Sequence, residues 1–189
     1  MADYDILIEA AYIADRDAVR DIGVRDGRIA VIAPTIDGTG AREFDADGSL
    51  VFPGFVDAHV HLDQALSAMG DRAPRYNDEP FDKGRNIART VEYFERTDRE
   101  TIAAEAIEAG RMAAANGVVA IRAHTYVDET VGTKAVEAVV EARAALANLV
   151  DIEIVVFPQR GILRSDGMGD VHLHDGGSLG QYTLDRLAE

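Results

Sequence analysis

The chain has 189 residues, no cysteine, and 34 acidic against 19 basic side chains, which gives a formal net charge of −15 at pH 7. This charge argues against a nucleic-acid binder, which needs a basic surface, and the lack of cysteine excludes disulfides and thiolate metal sites. No apolar run is long enough to predict a membrane span. The first ten residues lack the basic and apolar regions of a signal peptide, so we expect a cytoplasmic protein.

The acidic composition also favours adaptation to high salt, over the alternative of a soluble enzyme that happens to be acidic. Only two basic residues are lysines, Lys83 and Lys134. Acidic surfaces keep proteins soluble in concentrated salt, where ions screen the repulsion between like charges. We therefore expect a halophilic protein whose fold loosens when salt is removed.

The first 50 residues are predicted to form a small β element. Residues 4–33 read as short strands, with apolar runs on both sides of Asp26 and Gly27. An Asp-Gly pair between two apolar runs predicts a β-hairpin. Residues 34–40 are predicted to form a loop.

From Ser49 onward, apolar strands alternate with helices. Strands are predicted at residues 50–61, 118–124 and 152–157, and helices at 84–95 and 133–147. Between them, a further helix is predicted to begin at a capping box formed by Thr97 and Glu100 and to stop at Gly117. The long irregular segment 63–80 is predicted to be either functional or disordered.

Unbroken apolar strands alternating with helices predict an α/β fold with a parallel sheet covered by helices. An open doubly wound sheet and part of a barrel both fit this pattern. No Gly-x-Gly-x-x-Gly motif opens a helix, so a dinucleotide site is not supported. In both architectures the functional side chains lie at the C-terminal ends of the strands, where His59, His61, His124 and Gln159 fall.

The segment PGFVDAHVHLD, residues 53–63, places two histidines two positions apart at the end of the first apolar strand. Because side chains alternate along a strand, Asp57, His59, His61 and Asp63 are predicted to share one face. Polar groups on a buried strand need a partner that satisfies them, and neutral imidazoles bind zinc and iron. We predict a divalent metal site, zinc or iron. The alternative is a histidine pair satisfied by hydrogen bonds.

The segment PGFVDAHVHLD resembles the first barrel strand of the amidohydrolase superfamily, which are metal-dependent hydrolases on a (β/α) barrel. Residues 1–50 resemble the N-terminal β-sandwich segment of that family. The motifs HVHLD, NGVVAIRAHTYVD and DIEIVVFPQRGIL, in this order, resemble the cytosine deaminase branch, which also includes enzymes that act on triazine rings. The resemblance implies a partial TIM-type (β/α) barrel, with its first three β/α units in residues 51–165.

The resemblance also implies roles for individual residues. His59 and His61 would be metal ligands, Gln159 would hydrogen-bond the pyrimidine ring edge through its amide, and His124 would line the pocket. Asp63 would not bind the metal itself but would help to orient the site. The alternatives are a solvent-facing loop residue for Gln159, a hydrogen-bonded buried histidine for His124 and a solvated carboxylate for Asp63.

The family also uses groups that cannot be placed in this chain. These are a further metal-binding histidine, a proton-shuttling glutamate three residues after it, and an aspartate that binds the metal. His172 and His174 are the only later histidines, and no glutamate stands three residues after either. Residues 166–189 are predicted to be an irregular tail, from a truncated or frameshifted gene product.

The resemblance implies hydrolytic deamination of cytosine or of a related pyrimidine or triazine, in which an activated water attacks the ring carbon and ammonia leaves. A cyclic amide, as in hydantoinases and dihydroorotases, is the alternative substrate. The alternative class is a non-catalytic remnant or a partner-dependent subunit, since a partial barrel exposes an apolar sheet edge. The expected partners are a small pyrimidine-like molecule and a second copy in a homo-oligomer, without nucleic acid or membrane.

Overall fold

The computed structural model describes residues 2–69, 82–128 and 130–159. The chain divides into two compact units, Met1–Pro53 and Gly54–Glu189. The predictions made for residues 70–80 and for the tail from residue 166, including His172 and His174, lie outside the described residues.

The first unit contains a four-stranded sheet with the strand order β3-β2-β1-β4. The strands are β1 (Tyr4–Ile13), β2 (Ala18–Arg25), β3 (Arg28–Ala33) and β4 (Gly40–Asp45). The pairs β1–β2 and β2–β3 are antiparallel, whereas β4 runs parallel to β1. Leu7, Ala11 and Ile22 are its buried apolar residues within the described range. The β-sandwich stays a prediction, because these strands form one sheet.

The predicted Asp-Gly hairpin is confirmed. Strands β2 and β3 are antiparallel neighbours, and Arg25 pairs with Arg28 across the turn. Asp26 and Gly27 both have left-handed backbones, with φ values of 53° and 69°. A two-residue turn of this kind matches the right-handed twist of the flanking strands, and glycine adopts positive φ without a steric penalty.

Asp21 is a buried carboxylate that no sequence pattern predicted. Its Oδ1 accepts a hydrogen bond from the Ala10 N–H at 3.0 Å, and its Oδ2 accepts one from the Ile36 N–H at 2.9 Å. Ala10 has a φ of 52° and lies where the β1–β2 register shifts. By accepting both hydrogen bonds, the Asp21 carboxylate links the irregular part of β1 to the loop that follows β3.

The second unit contains a three-stranded parallel sheet in the order β5-β6-β7. Its elements are β5 (Phe55–Val60), α1 (Lys83–Arg96), α2 (Arg99–Ala115), β6 (Val118–Tyr126), α3 (Lys134–Ala145) and β7 (Asp151–Phe157). The core includes Ala106 of α2, Ile121 of β6 and Leu146 after α3. The predicted parallel sheet with covering helices is confirmed, and closure into a barrel stays a prediction. Within the described ranges, no helix is both long and apolar enough to cross a membrane.

Two predicted boundaries are wrong. The first strand of this sheet begins at Phe55, because Leu50 instead pairs with Tyr12 of the first unit. Helix α2 is capped by Asp98, whose side chain accepts a hydrogen bond from the Thr101 N–H at 2.7 Å. Thr97, the predicted cap, is the C-terminal cap of α1. Aspartate is as good an N-cap as threonine or better, and it stands one residue closer to the helix.

Candidate active site

Three histidines meet at the C-terminal edge of the parallel sheet. The rings of His59 in β5 and His124 in β6 are stacked, with centroids 3.8 Å apart and an interplanar angle of 11°. The ring of His61, directly after β5, lies 5.5 Å from that of His59 and 6.3 Å from that of His124. Phe157, at the end of β7, has its ring 5.4 Å from His61. The structure thus brings together three of the predicted site residues.

An irregularity in β5 places His59 in this cluster. Asp57 pairs with Ile121 and Val60 pairs with Ala123, so three steps along β5 match two along β6. Such a bulge bends the strand and re-aims a side chain. The His59 N–H donates a hydrogen bond to Asp57 Oδ1 at 3.2 Å. Asp57 therefore supports the strand locally.

The prediction that Asp57, His59, His61 and Asp63 share one strand face is wrong for Asp63. Strand β5 ends at Val60, and a 3-10 turn over residues 62–64 carries Asp63 into the interior, where it is 0% exposed. Its Oδ2 accepts a hydrogen bond from the Tyr126 N–H at 2.8 Å. The carboxylate is therefore not solvated, and it ties the turn after β5 to the end of β6.

Burial shifts the protonation of two side chains at this edge. Burial lowers the pKa of His61 below its usual value, and positive charge on His59 or His124 acts in the same direction, while the His124 backbone opposes it. Burial raises the pKa of Asp63 to about 7, against the opposing effect of the Tyr126 N–H. A lowered pKa favours the neutral imidazole, which is the form that binds metal ions.

Four buried polar atoms at or beside this edge find no hydrogen-bond partner within the described part of the chain. They are His61 Nδ1, Asp63 Oδ1, His124 Nδ1 and Gln159 Oε1. Buried polar atoms in native proteins are nearly always paired. Their concentration at the end of three parallel strands is therefore typical of a site that binds a polar ligand or an ion.

The His59–His61 pair fits a shared metal ion. Two imidazoles that bind one zinc ion through nitrogens at about 2.0–2.1 Å have ring centres roughly 5 Å apart, and the observed separation is 5.5 Å. Among residues 2–69, 82–128 and 130–159, no group of three or more histidine, aspartate and glutamate side chains surrounds one metal position. The described residues thus offer two imidazole ligands, and a complete protein shell needs further groups.

Gln159 follows β7 at the same edge. Its backbone N–H donates a hydrogen bond to the Phe157 carbonyl at 2.9 Å. The residue is half-buried, and its side-chain oxygen is one of the four buried unpaired atoms. This position does not match the alternative of a solvent-facing loop residue.

A charged pair on the sheet was not predicted. Arg122 Nε donates to Glu153 Oε2 at 2.7 Å, and the two residues are register partners on β6 and β7. Arg122 precedes His124 by two residues on β6, so the two side chains lie on the same face of the sheet. The Arg122–Glu153 pair is therefore a neighbour of the histidine cluster. The position of Arg122 was visible in the sequence, but its partner follows only from the strand register.

No family model matches the chain. An alignment of 231 positions shows 34% identity to the N-isopropylammelide isopropyl amidohydrolase of Pseudomonas sp. (strain ADP), and it covers 99% of this chain and 57% of the relative.

Two solved structures are also similar to this chain. The N-isopropylammelide isopropylaminohydrolase from Burkholderia multivorans ATCC 17616 matches 92% of this chain and 43% of its own chain, with 28% identity and a TM-score of 0.73. The 5-methylcytosine deaminase from Klebsiella pneumoniae, liganded with 5-fluorocytosine, matches 91% of this chain and 41% of its own chain, with 25% identity and a TM-score of 0.75. The chain thus spans about half the length of these proteins.

Proposed function

The chain belongs to the amidohydrolase superfamily, and on that premise we propose that it carries part of the active site of a metal-dependent hydrolase that cleaves a carbon–nitrogen bond on a nitrogen-rich ring. The convergence of His59, His61 and His124 at the C-terminal edge of three parallel strands carries the proposal. In (β/α) barrels, the catalytic residues lie at this C-terminal edge of the strands.

His59 and His61 are the proposed metal ligands. Their ring separation fits a shared ion, and burial favours the neutral form of His61. A divalent metal ion held here would supply a water activated for attack at neutral pH and would polarise the bond that is attacked. Zinc and iron are the proposed ions, since both accept neutral imidazole.

Gln159 is the proposed contact to the ring of the substrate. A primary amide offers both a donor and an acceptor, which suits the mixed edge of a cytosine-like ring. Its buried oxygen has no partner within the described residues, so it is available to accept a hydrogen bond from a ring N–H or an amino group. His124, whose Nδ1 is also unpaired there, is proposed to line the same pocket.

The proposed leaving group is an exocyclic amine. Three relatives that each align with more than nine-tenths of this chain, at 25% identity or more, are named for N-isopropylammelide and for 5-methylcytosine. Both compounds are nitrogen-rich rings that carry an exocyclic amino substituent. An aminopyrimidine or aminotriazine is therefore proposed ahead of a cyclic amide, and hydrolysis would release ammonia or a small alkylamine.

The test is amine release in concentrated salt by the purified chain supplied with zinc or ferrous iron. Cytosine, 5-methylcytosine and N-isopropylammelide are the substrates. The described residues supply only part of a metal shell, so the prediction concerns dependence: any release of ammonia or isopropylamine requires added metal and is lost in His61→Ala. Release that persists in His61→Ala at the wild-type rate would contradict the proposal, and so would release that does not depend on added metal.

A further inference from the structure

The two proposed metal ligands are held in place in different ways. His61 is half-buried, and its ring contacts Phe157 at a centroid distance of 5.4 Å. His59 is exposed and lies on the irregular part of β5, which is an outer strand of the described sheet. The hydrogen bond from its N–H to Asp57 holds its backbone but not its ring.

The one ring stacked on His59 in the described structure is that of His124. The centroids are 3.8 Å apart and the planes differ by 11°, so one imidazole covers the face of the other. His124 comes from strand β6, whose register with β7 is continuous from Ala120 to Tyr126. The exposed imidazole of His59 is therefore packed against a ring on a strand of continuous register.

The stack is unsuited to two ligands of one ion. Imidazole binds a metal through a ring nitrogen in the plane of the ring, and two rings on one zinc ion have centres roughly 5 Å apart. The 3.8 Å separation of His59 and His124 is shorter, and nearly parallel planes do not converge on one point. The stack instead covers the face of the His59 ring and makes no use of its nitrogens, which lie in the ring plane.

We propose that His124 is a positioning residue that orients the imidazole of His59 for metal binding by ring stacking; this inference rests on the proposed metal pair and refines it. In this role His124 acts through its flat ring, and its imidazole nitrogens are not required. Groups that orient metal ligands contribute strongly to metal affinity, and a stacked aromatic ring restricts its partner without competing for the ion.

Three variants at this position separate the ring from its nitrogens. Cobalt(II) chloride is titrated into each purified chain in concentrated salt, with visible absorption as the readout. We expect His124→Ala and His124→Asn to weaken cobalt binding about tenfold, and His124→Phe to stay within about threefold of the wild type. The absorption band of cobalt should keep its wild-type shape in His124→Phe and change in His124→Ala.

The stack is measured separately in the metal-free chain by nuclear magnetic resonance. We expect cross-relaxation between the ring protons of His59 and those of residue 124 in the wild type and in His124→Phe. In His124→Ala the His59 ring signals should move, because they lose the ring current. Backbone spectra of the three variants show whether each of them is folded.

The outcomes distinguish this inference from the proposed function. Cobalt binding by the wild type that is unchanged in a folded His124→Ala would overturn the positioning role and leave the metal pair intact. Binding that is lost equally in His124→Phe and His124→Ala would show that an imidazole nitrogen is required and would overturn it too. A wild-type chain that binds no cobalt would overturn the proposed function and this inference with it.

Discussion

The carboxylate of Asp63 accepts a hydrogen bond from the backbone N–H of Tyr126 at 2.8 Å, although 63 positions separate the two residues in the sequence. Asp63 is fully buried in the turn that follows His61, and Tyr126 ends the strand that carries His124. The bond therefore fixes the distance between the two strand ends on which the histidine cluster is built.

Removal of this carboxylate should destabilise the second unit. Asp63→Ala leaves the buried Tyr126 N–H without its acceptor, and an unpaired buried donor costs about 1–3 kcal/mol. Asp63→Asn keeps an acceptor oxygen and should retain most of the stability at pH 5. Urea unfolding followed by circular dichroism measures both variants. Equal stability of Asp63→Ala and the wild type would show that the bond contributes nothing.

The stability of the wild type should depend on pH through Asp63. Burial raises its pKa from 3.8 to about 7 in the folded chain, so the folded state favours the protonated form. The protonated carboxyl of Asp63 therefore contributes to the free energy of unfolding. This contribution is fully present below pH 4 and is lost as the pH rises through about 7. Asp63→Asn does not titrate, so the wild type should lose stability relative to this variant between these limits. Urea unfolding of the metal-free proteins at pH 4, 5.5 and 7.5 tests this, and a constant difference would contradict it.

The buried carboxylate of Asp21 should stabilise the first unit. Asp21→Ala removes the acceptor of the Ala10 and Ile36 N–H groups, and the loss should cost about 2 kcal/mol or more. Hydrogen exchange at these two amides should accelerate, while Asp15→Ala, an exposed aspartate, serves as the matched control. Unchanged exchange in Asp21→Ala would show that the two hydrogen bonds are dispensable.

Salt should stabilise the protein. A net charge of −15 on 189 residues produces strong self-repulsion, and the Debye length falls from about 10 Å at 0.1 M salt to about 3 Å at 1 M. Thermal unfolding by circular dichroism should therefore shift to higher temperature as potassium chloride is raised from 0.1 to 2 M. A midpoint that stays constant or falls over this range would count against adaptation to high salt.

The sequence predicted the elements whose signals are local. The Asp26-Gly27 turn, the apolar strands and the helices each depend on a few neighbouring residues, and the structure has all of them. The cap of α2 was misplaced by one residue because Thr97 and Asp98 are both good N-caps. Which of the two residues caps α2 depends on where α1 ends, and a capping motif alone does not indicate where the preceding helix ends.

The site was predictable only in part. A His-x-His pair after Pro-Gly at a strand end indicated where His59 and His61 lie, and the strand order indicated that His124 is near. Alternation along a strand could not reveal the bulge at His59, which arises from the register with β6, or the turn after β5 that buries Asp63 against the Tyr126 N–H. The stack of His59 on His124 likewise depends on that register.

Zinc binding by the purified chain is the most direct test of the central claim, that His59 and His61 form a metal site. Isothermal titration calorimetry in concentrated salt compares the wild type with His59→Ala and His61→Ala. The matched control is His172→Ala combined with His174→Ala, since these residues have the same His-x-His spacing. We expect the wild type and the control to bind zinc alike, and each site variant to bind at least about tenfold more weakly. Wild-type affinity in both site variants, or loss of binding in the control alone, would contradict the claim.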